Sequence, residues 1–126
     1  MSFFSVALTA CSNHGHVNTG DIVKFPNVKS NYGIQNLTQF KQTGIFTCEQ
    51  KGLYMFFSNM VSNRANAYLI WYLNNSTALS EISFKYQSGS GMITVELAVG
   101  DTVSLKSETD NISVHSFSCY TLIKIK

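Results

Sequence analysis

Charge is scarce in this sequence. Nine Lys and Arg with seven Asp and Glu make up 13% of its 126 residues, about half the ~25% usual in a soluble domain. The cations are scattered singly and the net charge is +2, so no basic stripe awaits a phosphate backbone and nucleic acid is not an expected partner. Long apolar runs are missing too. The longest, Ala67 to Leu73, has seven residues against the ~20 that cross a bilayer as a helix, so no membrane insertion is expected. Met1 to Thr9 lack the basic start and long apolar middle of a secretion signal, which leaves a leader already removed or a cytosolic protein. Cysteine is sparse: Cys11, Cys48 and Cys119 form no Cys-x-x-Cys pair, and their odd number allows at most one internal disulfide with one thiol left over.

Signatures of catalysis are also missing. The sequence contains no Gly-x-Ser-x-Gly elbow, no His-Glu-x-x-His helix and no phosphate-cradling Gly-x-x-x-x-Gly-Lys loop. Gly89-Ser90-Gly91 reads as a turn, and without a following helix it makes no dinucleotide site. His115 and Ser116 are neighbours on a candidate strand, where adjacent side chains point to opposite faces and form no dyad. An enzyme is therefore not expected.

Apolar residues stay at 44%, and abundant Asn, Ser and Thr fill the place of charge. Such groups suit hydroxyl-rich ligands better than phosphates. The length fits one domain over residues 1–126, large enough to form a core without a staple. Helical periodicity is nearly absent. Apolar residues alternate or form short blocks, so the chain reads as all-β. The clearest strand is Met92 to Val99, followed by a Gly100-Asp101 turn into Thr102 to Lys106. Others are Phe3 to Thr9, Ile22 to Phe25, Thr43 to Cys48, Leu53 to Met60, Ala67 to Leu73, Leu79 to Tyr86 and Ser113 to Ile125. The spacing is that of a sandwich or jelly roll, and the single proline, Pro26, follows a strand, where its missing donor does no harm.

Two strands break the alternating rule. Leu53 to Phe57 and Ala67 to Leu73 are apolar or aromatic on both faces, whereas an antiparallel sandwich usually leaves one face to water. If Ala67, Leu69, Trp71 and Leu73 fill the core, Tyr68, Ile70 and Tyr72 face outward, or the assignment reverses. Burying three such side chains contributes on the order of 5–9 kcal/mol before the entropy of association. A subunit interface is the favoured cover; other strands or loops of the same chain are the alternative.

Several blocks together resemble the C1q globular-head family. They are Phe4-Ser5-Val6-Ala7-Leu8-Thr9, Val23-Lys24-Phe25, Thr43-Gly44-Ile45-Phe46-Thr47-Cys48 and Gly52-Leu53-Tyr54-Met55-Phe56-Phe57. In the second half, Met92 to Leu97 with Gly100-Asp101-Thr102-Val103-Ser104-Leu105 resembles the family's penultimate hairpin, and Phe117-Ser118-Cys119-Tyr120 its closing Phe-Ser-Gly-Phe strand. The resemblance spans nearly the whole chain, in order. It implies a ten-stranded jelly-roll β-sandwich of the C1q and tumour-necrosis-factor type, assembled as a homotrimer with its first and last strands adjacent. Tyr54, Phe56, Tyr68, Ile70 and Tyr72 become candidates for the trimer interface. Cys48 matches a cysteine that complement subunits bridge to a strand beginning near Asn66, but here no partner stands there. Cys119 stands where the family usually has Gly; an inert buried thiol is the favoured reading, and a bridge to Cys48 or Cys11 is the alternative. The collagen-like stalk is absent, as in short soluble invertebrate C1q-domain lectins.

The implied role is a secreted, non-enzymatic, lectin-like pattern-recognition module of innate immunity that binds glycans or microbial surface polymers, its weak sites multiplied by avidity. The alternatives are a structural or matrix trimer that binds divalent cations and a cytokine-like receptor ligand. Four Asn-x-Ser/Thr sequences, at Asn36, Asn74, Asn75 and Asn111, agree with secretion. The candidate ligand loops are Ser62 to Asn66, Tyr86 to Gly91 and Glu108 to Val114, with Arg64, Tyr86, Asp110, Asn111 and His115 as the candidate residues. An acidic sugar would favour Arg64 or Lys85. Cys11-Ser12-Asn13-His14-Gly15-His16 is the one compact set of metal-capable side chains. Its spacing matches no closed site, and no cofactor is required, but His14 and His16 are candidates for a weak divalent cation, whether calcium, zinc or copper.

Overall fold

The computed structural model describes residues 5–126, so Phe3 and Phe4 of the first expected strand lie outside the described residues. In chain order the elements are β1 (Ala7–Cys11), β2 (Gly15–Val17), β3 (Asn27–Tyr32), α1 (Leu37–Thr43), β4 (Phe46–Thr47), β5 (Gly52–Val61), β6 (Tyr68–Leu73), β7 (Thr77–Ser83), β8 (Ser88–Leu97), β9 (Thr102–Ser107), β10 (Ile112–Val114) and β11 (Cys119–Lys124). A five-stranded sheet, β3-β1-β11-β5-β8, faces a four-stranded one, β4-β9-β6-β7, and β10 pairs with β2 in a short ribbon. The first and last strands, β1 and β11, are antiparallel neighbours. This is the expected all-β jelly roll, with eleven strands among the described residues.

The core lies between the sheets. Phe56 of β5 packs 6.0 Å from Trp71 of β6, and Trp71 packs 5.6 Å from Tyr120 of β11. Alternation along β5 sends Tyr54, Phe56, Ser58 and Met60 inward. Tyr54 and Phe56 are therefore enclosed by their own chain at 0% exposure, and the expectation that they meet a neighbouring subunit is corrected. On β6, Leu69 and Trp71 are buried while Tyr68, Ile70 and Tyr72 are outward.

Two elements depart from the expected pattern for local reasons. Thr43 to Cys48 is not one strand: α1 ends at Thr43, and Gly44 adopts φ +75° and donates its N–H to the Phe40 carbonyl at 2.8 Å. Only Phe40 of that helix is buried, which is too little periodicity to read. Ser113 to Ile125 divides into β10 and β11, separated by a turn closed by the Ser118 N–H to the His115 carbonyl. The segment Ile22 to Phe25 keeps only an isolated bridge, Ile22 to Lys106, and a bond from the Val23 N–H to the Leu105 carbonyl. Gly89 and Gly91, read as a turn, lie inside β8. A Cβ at Gly91 would lie 2.6 Å from Ile82 Cγ1, so the small residue is what lets β7 of one sheet cross closely over β8 of the other.

Two enclosed polar atoms, Trp71 Nε1 and Tyr120 Oη, have no hydrogen-bond partner among the described residues. Leaving such a hydroxyl unbonded costs about 1–3 kcal/mol. Tyr120→Phe is accordingly expected to raise unfolding free energy by roughly that amount, read from the urea midpoint at unchanged slope. A lowered midpoint would mean that the hydroxyl is bonded in solution.

Candidate functional site

Strand direction brings one set of loops to a common end. β5 leaves the sandwich at Val61, β6 enters at Tyr68, and the β7–β8 turn, the segment after β9 and the β1–β2 connection all return there. Side-chain to backbone bonds lace these loops together. Arg64 Nη1 donates to the Asp110 carbonyl at 2.9 Å, and Asp110 Oδ1 accepts the Thr19 N–H at 2.9 Å. Asn18 Oδ1 accepts the Asn111 N–H and Asn63 Oδ1 accepts the Ser113 N–H, each at 2.9 Å. The Ser62 N–H donates to the Gln87 carbonyl, which ties the Tyr86 turn to the rest. Each bond satisfies a backbone group that the loop would otherwise leave to water.

Backbone strain gathers at the same end. His14, Asn66, Tyr86 and Asn111 are non-glycine residues with φ between 60° and 63°. Asn tolerates this region; a bulky Tyr or His does so only where its surroundings hold it. Tyr86 sits in the tight turn closed by the Lys85–Ser88 bridge and is 76% exposed. Phe117, 74% exposed, stacks 5.2 Å from His115, whose other neighbour, His14, stands edge-on at 5.9 Å.

The candidate ligand residues thus share one end, in different capacities. Arg64, Asp110 and Asn111 hold the loops to one another, Tyr86 projects outward, and His115 lies in the turn after β10 rather than on a strand. Sequence reasoning missed Phe117, placed on the closing strand by its resemblance block, and missed Asn18, Thr19 and Asn63 as loop anchors. Nothing in their sequence neighbourhood marks partners so far away.

The Thr19 N–H and hydroxyl hold the Asp110 carboxyl below the usual carboxylate range, and Arg64 adds to the effect. A carboxyl depressed by folding contributes stability above its unfolded value, about pH 4, and that contribution is lost as pH falls through the lower folded value. Protection of the Thr19 amide, its exchange rate corrected for the intrinsic pH dependence of amide exchange, is therefore expected to fall as the solution is acidified through and below that range, and Asp110→Asn to flatten that loss. Protection that falls with pH to the same degree in Asp110→Asn would refute the assignment.

Cysteine chemistry changes the candidate metal set. Cys11 and Cys119 stand opposite each other on β1 and β11 and form a disulfide. Cys119 is therefore not an inert thiol, and Cys11 offers no thiolate to His14 or His16. Among the described residues, no three His, Cys, Asp or Glu side chains converge on a metal-holding position. Cys48 is the buried free cysteine; burial pushes its thiol up, and it donates to the Gln50 carbonyl at 3.1 Å.

The outer faces of the two sheets differ. On the four-stranded sheet the Tyr72 hydroxyl donates to Glu108 at 2.7 Å, Lys106 Nζ lies 4.8 Å from the Tyr72 ring centroid, and Ile70 sits between Glu81 and Lys106. This face finds much of its cover in its own charges. The five-stranded sheet instead exposes an apolar band: Phe57 (39%) stands opposite Met92 (58%), and Met55 opposite Ile123.

A model of the C1q domain matches residues 3–121. Among solved structures, the globular domain of zebrafish complement 1qA superposes with a TM-score of 0.75 at 18% identity, covering 97% of this chain and 98% of that one. Murine APRIL follows at 0.74 and 13%, covering 96% and 99%. Eiger TNF from S. frugiperda gives 0.68 and 12%, covering 100% and 94%. No curated protein sequence matches the chain significantly.

Proposed function

The chain belongs to the C1q domain family, and from that premise we propose that it is a secreted, lectin-like recognition protein of innate immunity, working as a homotrimer that binds glycans or microbial surface polymers. Domains of this family form trimers and bind ligands, are typically non-enzymatic and are generally extracellular. In this reading the subunits meet through the apolar outer face of the five-stranded sheet, around Phe57, Met92, Met55 and Ile123.

The observation that carries the binding role is the laced loop end, which exposed Tyr86 and Phe117 rings share with amides and the Arg64 guanidinium. Sugar rings present C–H faces that pack on aromatic rings and hydroxyls that pair with amides, and bonds already made between loops lower the entropy lost on binding. Three copies display three such ends, so weak single contacts gain through avidity.

A glycan array read at several salt concentrations tests this role. Saturable binding is expected, and Tyr86→Ala is expected to weaken it by about tenfold, or ~1.4 kcal/mol, with the melting temperature unchanged. Absence of saturable binding to sugars, microbial polymers or anionic particles would overturn the reading.

A further inference from the structure

On the flank of the sandwich, beside β2, lies a half-open groove of about 650 Å³, within the range of small-molecule sites. Apart from Val114 it shares no residue with the three candidate ligand loops. Its walls are Val17, Ile22, Val23, Ile45 and Val114, of which Val17, Val23 and Val114 belong to the packed core and do not move aside. The polar lining is sparse. Ser12, 3% exposed, brings a hydroxyl, that of Thr43 is already spent on the Gln39 carbonyl, and Asn13, His16, Asp21 and Lys24 stand at the rim. Asp21 is tied to its own turn, since Oδ2 accepts the Asn18 N–H at 2.8 Å.

This lining selects against sugars. A hydroxyl-rich ring laid against five aliphatic side chains would leave most of its hydroxyls without partners, whereas an alkyl chain or hydrocarbon ring would gain from the same contact. The charge at the rim chooses the head group. Asp21 already has a backbone donor and the Asn13 amide is neutral, so the Lys24 ammonium is the charged group left to pair with a ligand, with the His16 ring beside it in the lining, and both can donate to an anion.

We propose that this groove binds a small amphiphile carrying one carboxylate, its apolar body against Val17, Ile22 and Ile45 and its head at Lys24 and His16. The groove adjoins the glycan-binding end through Ser12, Asn13 and Val114 but uses none of Arg64, Tyr86 and Phe117, so either can fail while the other stands.

The test is titration of the full chain with decanoate, below its micelle-forming concentration, followed by methyl and amide NMR. Saturable shifts are expected at Val17, Ile22 and Ile45. Lys24→Glu, a change at an exposed position, is expected to weaken decanoate by roughly tenfold, as loss of a charge-assisted bond does, while leaving decanol affinity within about twofold. Ile45→Trp, which fills the groove, is expected to abolish both. No groove shifts up to about 5 mM would overturn the proposal, whether the groove is closed by a second copy or simply does not bind. Shifts confined to Phe57 and Met92 would do the same by showing adsorption to the sheet face. Equal affinity of decanoate for the Lys24→Glu variant would overturn the head-group assignment.

Discussion

Replacing Phe57 with glutamate is expected to turn the proposed trimer into a folded monomer of 14.0 kDa. Phe57 points away from the core between inward Phe56 and Ser58, and lies opposite Met92 on β8 and Thr121 on β11. Buried against a neighbour, such a ring contributes about 1.5–3 kcal/mol, and a carboxylate in its place must be desolvated without a partner. Symmetry repeats the change in every copy, so the losses accumulate on the order of 10 kcal/mol per trimer. Light scattering or sedimentation at micromolar concentration reads the result.

Tyr72→Glu is the informative comparison. It removes the hydrogen bond to Glu108 and the ring beneath Lys106, which together lower stability modestly, and it leaves the trimer intact. If Tyr72→Glu dissociates the protein and Phe57→Glu does not, the contact belongs to the four-stranded sheet. If neither changes the mass, the interface lies elsewhere.

Reducing the Cys11–Cys119 bridge, or replacing both residues with serine, is expected to lower unfolding free energy by about 2–5 kcal/mol. The two cysteines are 108 residues apart in sequence, so the bridge ties the first described strand to the last and restricts most of the unfolded chain. Urea unfolding with and without reductant measures the difference. Cys48→Ser serves as the control, since the Cys48 thiol bridges to nothing and loses at most its bonds to the Gln50 carbonyl and the Tyr54 hydroxyl. An unfolding midpoint that does not move on reduction would show that the two thiols are separate in solution.

Much of the fold is legible in sequence because strand alternation is a local property. The segments over β9 and the second half of β8 read correctly by an apolar period that matches the pleat, and those over β5 and β6 as short apolar blocks. β3, with the sequence NVKSNY, does not read as a strand because it is an edge strand with mostly exposed side chains. α1 is hidden for a related reason: Glu49 accepts the Gln35 and Asn36 N–H groups at its start, and this anchor lies 13 and 14 residues away in sequence. The candidate loops were legible as polar stretches, but their role was not. Arg64 and Asp110 looked equally free for a ligand until the fold joined them.

The sequence by itself determined an all-β chain with a double-sided apolar surplus, because alternation, turn residues and the shortage of charge act over a few residues at a time. Only the tertiary structure decided which side of β5 is core and which is surface. When both faces of a strand are greasy, period two alone does not orient it, and the choice falls to the facing sheet, where Trp71 closes over Phe56, with Tyr120 of the neighbouring strand β11 packed beside it. The disulfide and the laced loop end were decided in the same way. Their partners are 25 to 108 residues apart, and such pairs meet only after the strands have found their order.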